Sequence, residues 1–95
     1  MDVELAAQGF ASMGSEARLA VVRCLVRAGD AGLSVGELQE RTGIAASTLA
    51  HHLKFLAAAD VIQQEKHGRS IANRANYDRL RALADFILLE CCIDQ

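Results

Sequence analysis

Apolar residues alternate with polar ones at helical spacing along most of this chain, and the pattern predicts five helices. The first covers about residues 3–13. The second follows Ser15 as N-cap and stops at Gly29, and its nearly all-round apolar surface places it centrally in the core. The third begins at a capping box, in which Ser34 is followed three residues later by Glu37.

The fourth helix, beginning at about Ala45 or Ala46, has two distinct faces. Its predicted inner face has apolar residues at i, i+4 and i+7, namely Leu49, Leu53 and Leu56. Polar residues at the same spacing form its outer face, namely Ser47, His51 and Lys54. A short turn containing Gly43 joins it to the third helix, which is typical of a helix-turn-helix.

The pattern changes after Asp60, where residues 61–66 and 70–74 are two short strand candidates. Gly68 between them supplies the positive φ that a tight hairpin needs. Asn76 then caps the fifth helix, whose apolar stripe (Leu80, Leu83, Ala84, Ile87) leads to Cys91. The expected fold class is mainly α (α+β): a winged helix-turn-helix in the order α-α-α-α-β-β-α, as one domain over residues 1–95.

Charge is distributed unevenly along the 95 residues, although the net charge is only −2. Residues 39–75 contain five Lys or Arg and three Asp or Glu, so this middle part is the one that could face phosphate. No apolar run approaches the roughly 20 residues of a membrane span, and no signal peptide is recognisable. We therefore expect a cytoplasmic protein with no membrane partner and with reduced thiols.

The pattern predicts which residues contact double-stranded DNA. On the fourth helix, Ser47, Thr48 and His51 would reach base edges or phosphates, and Lys54 a phosphate. In the hairpin, Arg69 would contact phosphate or the minor groove, together with His67. His52 lies beside the buried stripe and is expected to pack rather than to contact DNA.

The most distinctive chemical feature is the adjacent pair Cys91 and Cys92. Neighbouring residues make a strained disulfide, whereas two thiols suit a soft, thiophilic ion. Successive side chains on a helix point about 100° apart, so both sulfurs can bind one ion only where the helix end frays.

Several blocks of this sequence resemble the ArsR/SmtB family of bacterial metal- and thiol-responsive repressors. They are Met13–Leu19, Leu33–Leu38, Ser47–Leu56, the wing tip Gly68–Arg69, and Tyr77. The resemblance implies a homodimer, formed through the first and last helices, that binds operator DNA and releases it when an effector binds. Departures from the family pattern are Ala45, where the family has a polar cap, and Ala50, where it has a second serine.

The family resemblance also limits which effectors this chain is expected to bind. The third helix lacks the cysteines of the best-known arsenite sites, and the last helix lacks the histidine of zinc and nickel sites. Residues 88–92, however, resemble an arsenic-responsive subgroup with adjacent cysteines after the last helix. This implies arsenic(III) as the effector at Cys91 and Cys92, with no organic cofactor. Arsenite-responsive members have a third cysteine further on, whereas two thiols suit a methylated arsenic(III).

Two alternatives remain open at this point. Cys24 is most simply a core residue, but it could pair with Cys91 or Cys92 in a persulfide- or redox-sensing repressor, as some family members do. The winged helix could instead be a protein-interaction module. We do not expect an enzyme, because the sequence contains no nucleophile–base–orienter set and no phosphate-binding loop.

Overall fold

The computed structural model describes all 95 residues and contains five helices and one two-stranded antiparallel sheet. The elements, in chain order, are α1 (Val3–Ser12), α2 (Glu16–Ala28), α3 (Val35–Thr42), α4 (Ala46–Ala58), β1 (Ile62–His67), β2 (Ser70–Ala75) and α5 (Tyr77–Leu88). This order confirms the predicted winged helix-turn-helix. Each strand extends one residue further toward the C-terminus than the pattern predicted.

Local capping determines where most helices begin. The side chains of Ser15, Ser34 and Asn76 each accept a hydrogen bond from the amide three residues later, as predicted. Ser34 and Glu37 form the full capping box, since the Ser34 amide also donates to Glu37 Oε1 at 2.9 Å. The starts of α2, α3 and α5 are therefore determined by capping residues close to them in sequence.

The core lies where α2, α3 and α4 meet the sheet. Leu49, Leu53 and Leu56 are buried, which confirms the predicted inner face of α4. From α2 the core receives Val21, Val22 and Leu25. Tyr77, at the start of α5, donates its hydroxyl to the Val26 carbonyl at 3.0 Å and so ties α5 to the end of α2.

A buried asparagine joins the wing to the segment before α3. Leu33 and Asn73 exchange backbone hydrogen bonds of 2.8 Å each, which adds a one-residue third strand that the pattern did not predict. The fully buried Asn73 side chain donates to the Leu33 carbonyl at 3.1 Å and accepts from Gln64 at 2.9 Å. At Gly32 (φ +70°) a Cβ would lie 2.5 Å from the Asn73 carbonyl oxygen, so only glycine permits this approach.

We predict that Asn73→Leu lowers the free energy of unfolding by about 1–3 kcal/mol, because a side chain of similar size removes both side-chain hydrogen bonds. Urea denaturation followed by circular dichroism measures the change. Asn73→Asp should also lower the free energy of unfolding, since its buried carboxylate can still accept from Gln64 but sets an oxygen against the Leu33 carbonyl. An Asn73→Leu protein as stable as the wild type would show that the buried amide does not stabilise this joint.

Small residues on α1 let α5 approach closely. Ala6, Gly9 and Ser12 are buried along one face of α1. A Cβ at Gly9 would lie 2.9 Å from both Cδ atoms of Leu83, which is itself 1% exposed. The two helices therefore pack as a pair, which leaves their other faces open.

One prediction about the last helix is wrong. The apolar stripe was expected to continue from Ile87 to Cys91, but α5 ends at Leu88 and Ile87 is 66% exposed. Residues 89–94 form successive turns, and Cys92 has a φ of +67° that no α-helix accommodates. Neither Cys91 nor Cys92 is therefore a helix-face residue; both are exposed. None of the helices is both long enough and apolar enough to cross a membrane.

Candidate nucleic-acid interface and thiol site

The outer face of α4 presents free polar groups. Ser47, Thr48, His51 and Lys54 are all exposed, because the leucines at the alternate positions occupy the core. None of the four side chains is engaged in an ion pair, and the nearest ion pairs lie in the wing and at the start of α5. Their donors and acceptors are therefore available to a ligand, as the pattern predicted for a recognition helix.

The N-terminal end of α4 is uncapped. Ala45 occupies the N-cap position and provides no side-chain hydrogen bond to the first turn. Amides at an uncapped helix start are donors that a phosphate can accept from, and the helix dipole favours an anion there. The missing polar cap therefore leaves the amides of this turn available to a phosphate.

Some basic side chains of the wing hairpin contact a carboxylate, and others do not. Glu65 contacts Arg74 at 3.2 Å and His67 at 3.7 Å, so two of the basic side chains of the hairpin share one carboxylate. Arg69 follows Gly68 (φ +62°) at the tip, is exposed, and has no carboxylate within 4.0 Å. Among the predicted wing contacts, Arg69 is thus the free cation, whereas His67 lies beside Glu65.

A contact that the pattern did not predict links the recognition helix to α1 and α2. The Phe55 ring, 52% exposed, meets the His51 ring edge-on at 5.1 Å between centroids. The guanidinium carbon of Arg18 lies 5.6 Å from the Phe55 centroid, and Arg18 Nε donates to the Ser12 carbonyl at the end of α1. The i, i+4 spacing of His51 and Phe55 was visible in the sequence, but the approach of Arg18 depends on the packing of α2.

His52 is half-buried, as expected for a packed residue beside the leucine stripe. Its Nδ1 atom is buried and has no hydrogen-bond partner. The predicted contribution of α4 to an interface therefore excludes His52.

The two thiols after α5 lie close together. The sulfur atoms of Cys91 and Cys92 are 3.2 Å apart and share a hydrogen bond, because the positive φ of Cys92 turns its side chain back toward Cys91. This hydrogen bond, with a smaller effect of desolvation, raises the pKa of the Cys92 thiol. Binding of one ion by both sulfurs was predicted to need a helix end that departs from helical geometry, and the backbone does so at Cys91 and Cys92.

The two sulfurs are close enough to hold one atom together. On metal–sulfur bonds of about 2.3 Å, two sulfurs of a tetrahedral ion lie about 3.8 Å apart, and the exposed thiols at 3.2 Å need move little to hold either a tetrahedral or a pyramidal atom. No group of three or more His, Cys, Asp or Glu side chains in the chain is placed to hold a metal ion, so the site consists of two sulfurs.

Cys24 lies in a different part of the molecule. It packs against the core from α2 and also lines a groove between α2 and α3, with no residue of α5 or of the turns after it. Its environment is therefore half-buried, not fully core as first expected. Within one chain the fold does not place Cys24 beside Cys91 or Cys92.

Comparison with known proteins agrees with this architecture. Residues 13–65 match the model of a helix-turn-helix domain family. The chain is also 35% identical over 69 residues to the uncharacterized HTH-type transcriptional regulator YceK of Bacillus subtilis, a match that covers 73% of this chain and 68% of YceK. An ArsR-like transcriptional regulator from Rhodococcus sp. RHA1 superposes with a TM-score of 0.75 at 28% identity, over 88% of this chain and 76% of the other.

This chain belongs to the HTH-type transcriptional regulators. The regulator also superposes, with a TM-score of 0.72 at 18% identity, on the homodimeric winged helix-turn-helix DNA-binding domain of Mb0332 from Mycobacterium bovis, over 95% of this chain and 83% of that one. At that identity the likeness shows the fold alone. The relatives named here are transcriptional regulators, and the helix-turn-helix is the element by which such regulators bind DNA.

Proposed function

We propose that this regulator binds operator DNA as a homodimer and releases it when trivalent arsenic, as methylarsenite or arsenite, binds Cys91 and Cys92. The observation that supports this most directly is the 3.2 Å separation of two exposed sulfurs. Two thiols this close can bind one soft, thiophilic atom such as arsenic(III) through both sulfurs.

The chemistry at the thiols is ligand exchange without a change of oxidation state. Each S–H proton combines with a hydroxyl of arsenous or methylarsonous acid, so two As–O bonds break, two As–S bonds form and two waters leave. Methylarsenite has its third valence occupied by carbon, and two sulfurs complete it. Arsenite bound the same way keeps one hydroxyl, which a third donor would replace. We therefore expect methylarsenite to bind the pair more tightly.

The DNA side of the proposal rests on α4 and the wing. The exposed stripe of α4 fits the major groove, with Ser47, Thr48 and His51 toward base edges and Lys54 toward phosphate. The unpaired Arg69 at the wing tip fits the adjacent backbone or minor groove. These roles follow the charge and exposure of the side chains.

The proposed homodimer would form on the open faces of α1 and α5. Exposed apolar side chains concentrate there: Val3, Phe10, Ile87, Leu88, Leu89 and Ile93. A second copy would bury these residues, and the fold is shared with the homodimeric domain of Mb0332. Both thiols lie in the turns that follow α5, so arsenic binding would rearrange residues next to the proposed dimer contact.

A route of contacts connects that face to the recognition helix. Leu83 of α5 packs on Gly9 of α1, and the end of α1 accepts a hydrogen bond from Arg18. Arg18 in turn lies against Phe55, which meets His51 on the outer face of α4. Movement of α5 would thus reach α4 through packed side chains, as coupling between two sites requires.

The role of Lys54 predicts a change in salt dependence. We expect Lys54→Ala to weaken operator and nonspecific DNA binding alike and to flatten the slope of log K against log salt by about 2, since the homodimer loses one phosphate contact per subunit. Fluorescence anisotropy at several salt concentrations measures both. Arg81→Ala, which removes an exposed cation from α5, should leave the slope unchanged, and an unchanged slope in Lys54→Ala would refute the contact.

The shared hydrogen bond predicts a shift in thiol reactivity. In a Cys24→Ala background, Cys91→Ala removes the partner of Cys92, so the pKa of Cys92 should fall from its raised value. The thiolate is the reacting species, so alkylation of Cys92 by iodoacetamide should accelerate at a fixed pH below that pKa. Tandem mass spectrometry over a pH series gives the midpoint pH of Cys92 alkylation with and without Cys91. A higher midpoint in the Cys91→Ala variant would contradict the hydrogen bond shared by the two thiols.

The direct test of the proposal combines release and stoichiometry. Methylarsenite should dissociate the operator complex in a gel-shift titration, with one arsenic bound per chain, whereas zinc at the same concentration should not. Release with no arsenic bound would overturn the thiol site. Covalent linkage of Cys24 to Cys91 or Cys92 after treatment with hydrogen peroxide, which supplies the two-electron oxidant, would favour the thiol-redox alternative if found by mass spectrometry.

A further inference from the structure

A second concave site lies between α2 and α3, apart from the recognition stripe, the wing and the two terminal thiols. The groove has a volume of about 900 Å³. Its walls include three arginines, Arg23 and Arg27 from α2 and Arg41 from α3. Its apolar lining comprises Ala17, Ala20, Ile44 and the thiol of Cys24.

The three arginines are not neutralised by the protein. None of them has a carboxylate oxygen within 4.0 Å, since the ion pairs of the chain involve only Glu65 and Asp60. Glu37 lies one helical turn before Arg41, but hydrogen bonds from Ser34 are the main cause of its lowered pKa and Arg41 contributes least. The groove is therefore a positively charged cavity.

One acidic residue, Glu16, also lines the groove. It precedes Arg23 by seven residues on α2, which places it about 10 Å away along the helix axis. Arg23 and Arg27, by contrast, are four residues apart and share one face, about 6 Å along the axis. The groove thus has one strongly basic part and a separate acidic end.

We propose that this groove binds a small organic anion, an aromatic carboxylate or sulfonate, whose charged group contacts the arginines and whose apolar body covers Cys24. Guanidinium groups bind carboxylates and sulfonates through paired N–H donors. The alanines, Ile44 and the thiol provide the apolar surface that such a ligand would bury. All three arginines are exposed, as a contact with a DNA backbone would also require, but the concave shape and the half-buried thiol of Cys24 favour a small molecule.

Occupation of this groove would affect DNA binding through α3. Only residues 43–45 separate α3 from the recognition helix. A ligand that bridges Arg41 on α3 and the arginines of α2 would fix the angle between these helices and hence the orientation of α4. This site does not depend on the arsenic proposal, since it shares no residue with the terminal thiols.

Cys24 provides a direct probe of the groove. In the Cys91→Ser, Cys92→Ser protein it is the only thiol, so its alkylation by the neutral reagent iodoacetamide reports occupancy. The probe ligand is 2-naphthoate, and the matched control is the uncharged 2-naphthamide. At a naphthoate concentration ten times its Kd, alkylation should slow about tenfold by mass action, while naphthamide should leave it unchanged.

Substitution of the arginines tests the charge requirement. Arg23→Gln with Arg27→Gln should weaken naphthoate protection by about tenfold or more, whereas the double lysine substitution, which keeps the charge but not the paired donors, should weaken it less. Arg81→Gln on α5 is the control outside the groove, and circular dichroism verifies that each variant is folded.

Three results would overturn the proposal. Protection of Cys24 by naphthamide equal to that by naphthoate would make the charge irrelevant. Protection undiminished in the glutamine variant would place the anion elsewhere. Absence of naphthoate protection, together with weaker operator binding and a flatter salt slope in the glutamine variant, would identify the arginines as DNA phosphate contacts instead.

Discussion

Cys91→Ser combined with Cys92→Ser is expected to leave the operator complex intact at methylarsenite concentrations that dissociate the wild-type complex. A ligand shifts a conformational equilibrium only by its difference in affinity for the two states, and typical couplings change the second affinity by about 5- to 150-fold. The wild-type operator Kd should rise by a factor in that range. The Kd of the double variant should stay constant, since oxygen ligands do not replace thiolates on soft arsenic.

The single variants and Cys24→Ser make this test specific. Each single tail variant leaves one sulfur, which cannot bridge, so its response should be nearly lost. Cys24→Ser should respond fully, because Cys24 lines the α2–α3 groove and does not contact either terminal thiol. A double variant that is still released by methylarsenite would place the arsenic site elsewhere, and loss of response in Cys24→Ser would favour the persulfide alternative.

The second large effect concerns the inner face of the recognition helix. Leu53→Ala is expected to lower the free energy of unfolding by about 2–5 kcal/mol, because this side chain is buried to 1% exposure among the leucines of the core. Small domains have only about 5–15 kcal/mol of total stability, so much of the stability would be lost. Urea denaturation at a fixed protein concentration measures it, since the stability of a dimer depends on concentration.

Lys54→Ala, one residue along the same helix, is the matched control. Lys54 is exposed, so its removal should change the free energy of unfolding by no more than about 0.5 kcal/mol while it weakens DNA binding. The pair of variants thus separates the structural face of α4 from the contacting face. A loss below about 1 kcal/mol for Leu53→Ala would mean that this face does not anchor the helix.

Features of the functional surface differ in how far the sequence predicted them. The exposure of Ser47, His51 and Lys54 follows from helical spacing, since the leucines on the opposite face must be buried. The wing tip follows from Gly68, whose positive φ permits the tight turn. The sequence did not predict that Arg69 has no carboxylate partner, because this depends on which cations Glu65 contacts across the hairpin.

At the terminal thiols, too, the sequence predicted one part of the geometry correctly and another part wrongly. The sequence indicated that a thiophilic ion at Cys91 and Cys92 needs a broken helix, because neighbouring helical side chains diverge by about 100°. It predicted wrongly that Cys91 continues the apolar stripe, because periodicity does not reveal where α5 stops. The end at Leu88 and the positive φ of Cys92 determine the 3.2 Å separation of the sulfurs.

The sequence by itself determined the order of the elements, the capped helix starts, the two faces of α4 and the hairpin turn. Each of these depends on residues within about one or two helical turns of one another. Only the tertiary structure decided the Leu33–Asn73 bridge, the contact of Arg18 with Phe55 and the basic groove around Cys24. These features join residues distant in sequence, and their geometry is set by how the helices and the wing pack around a shared core.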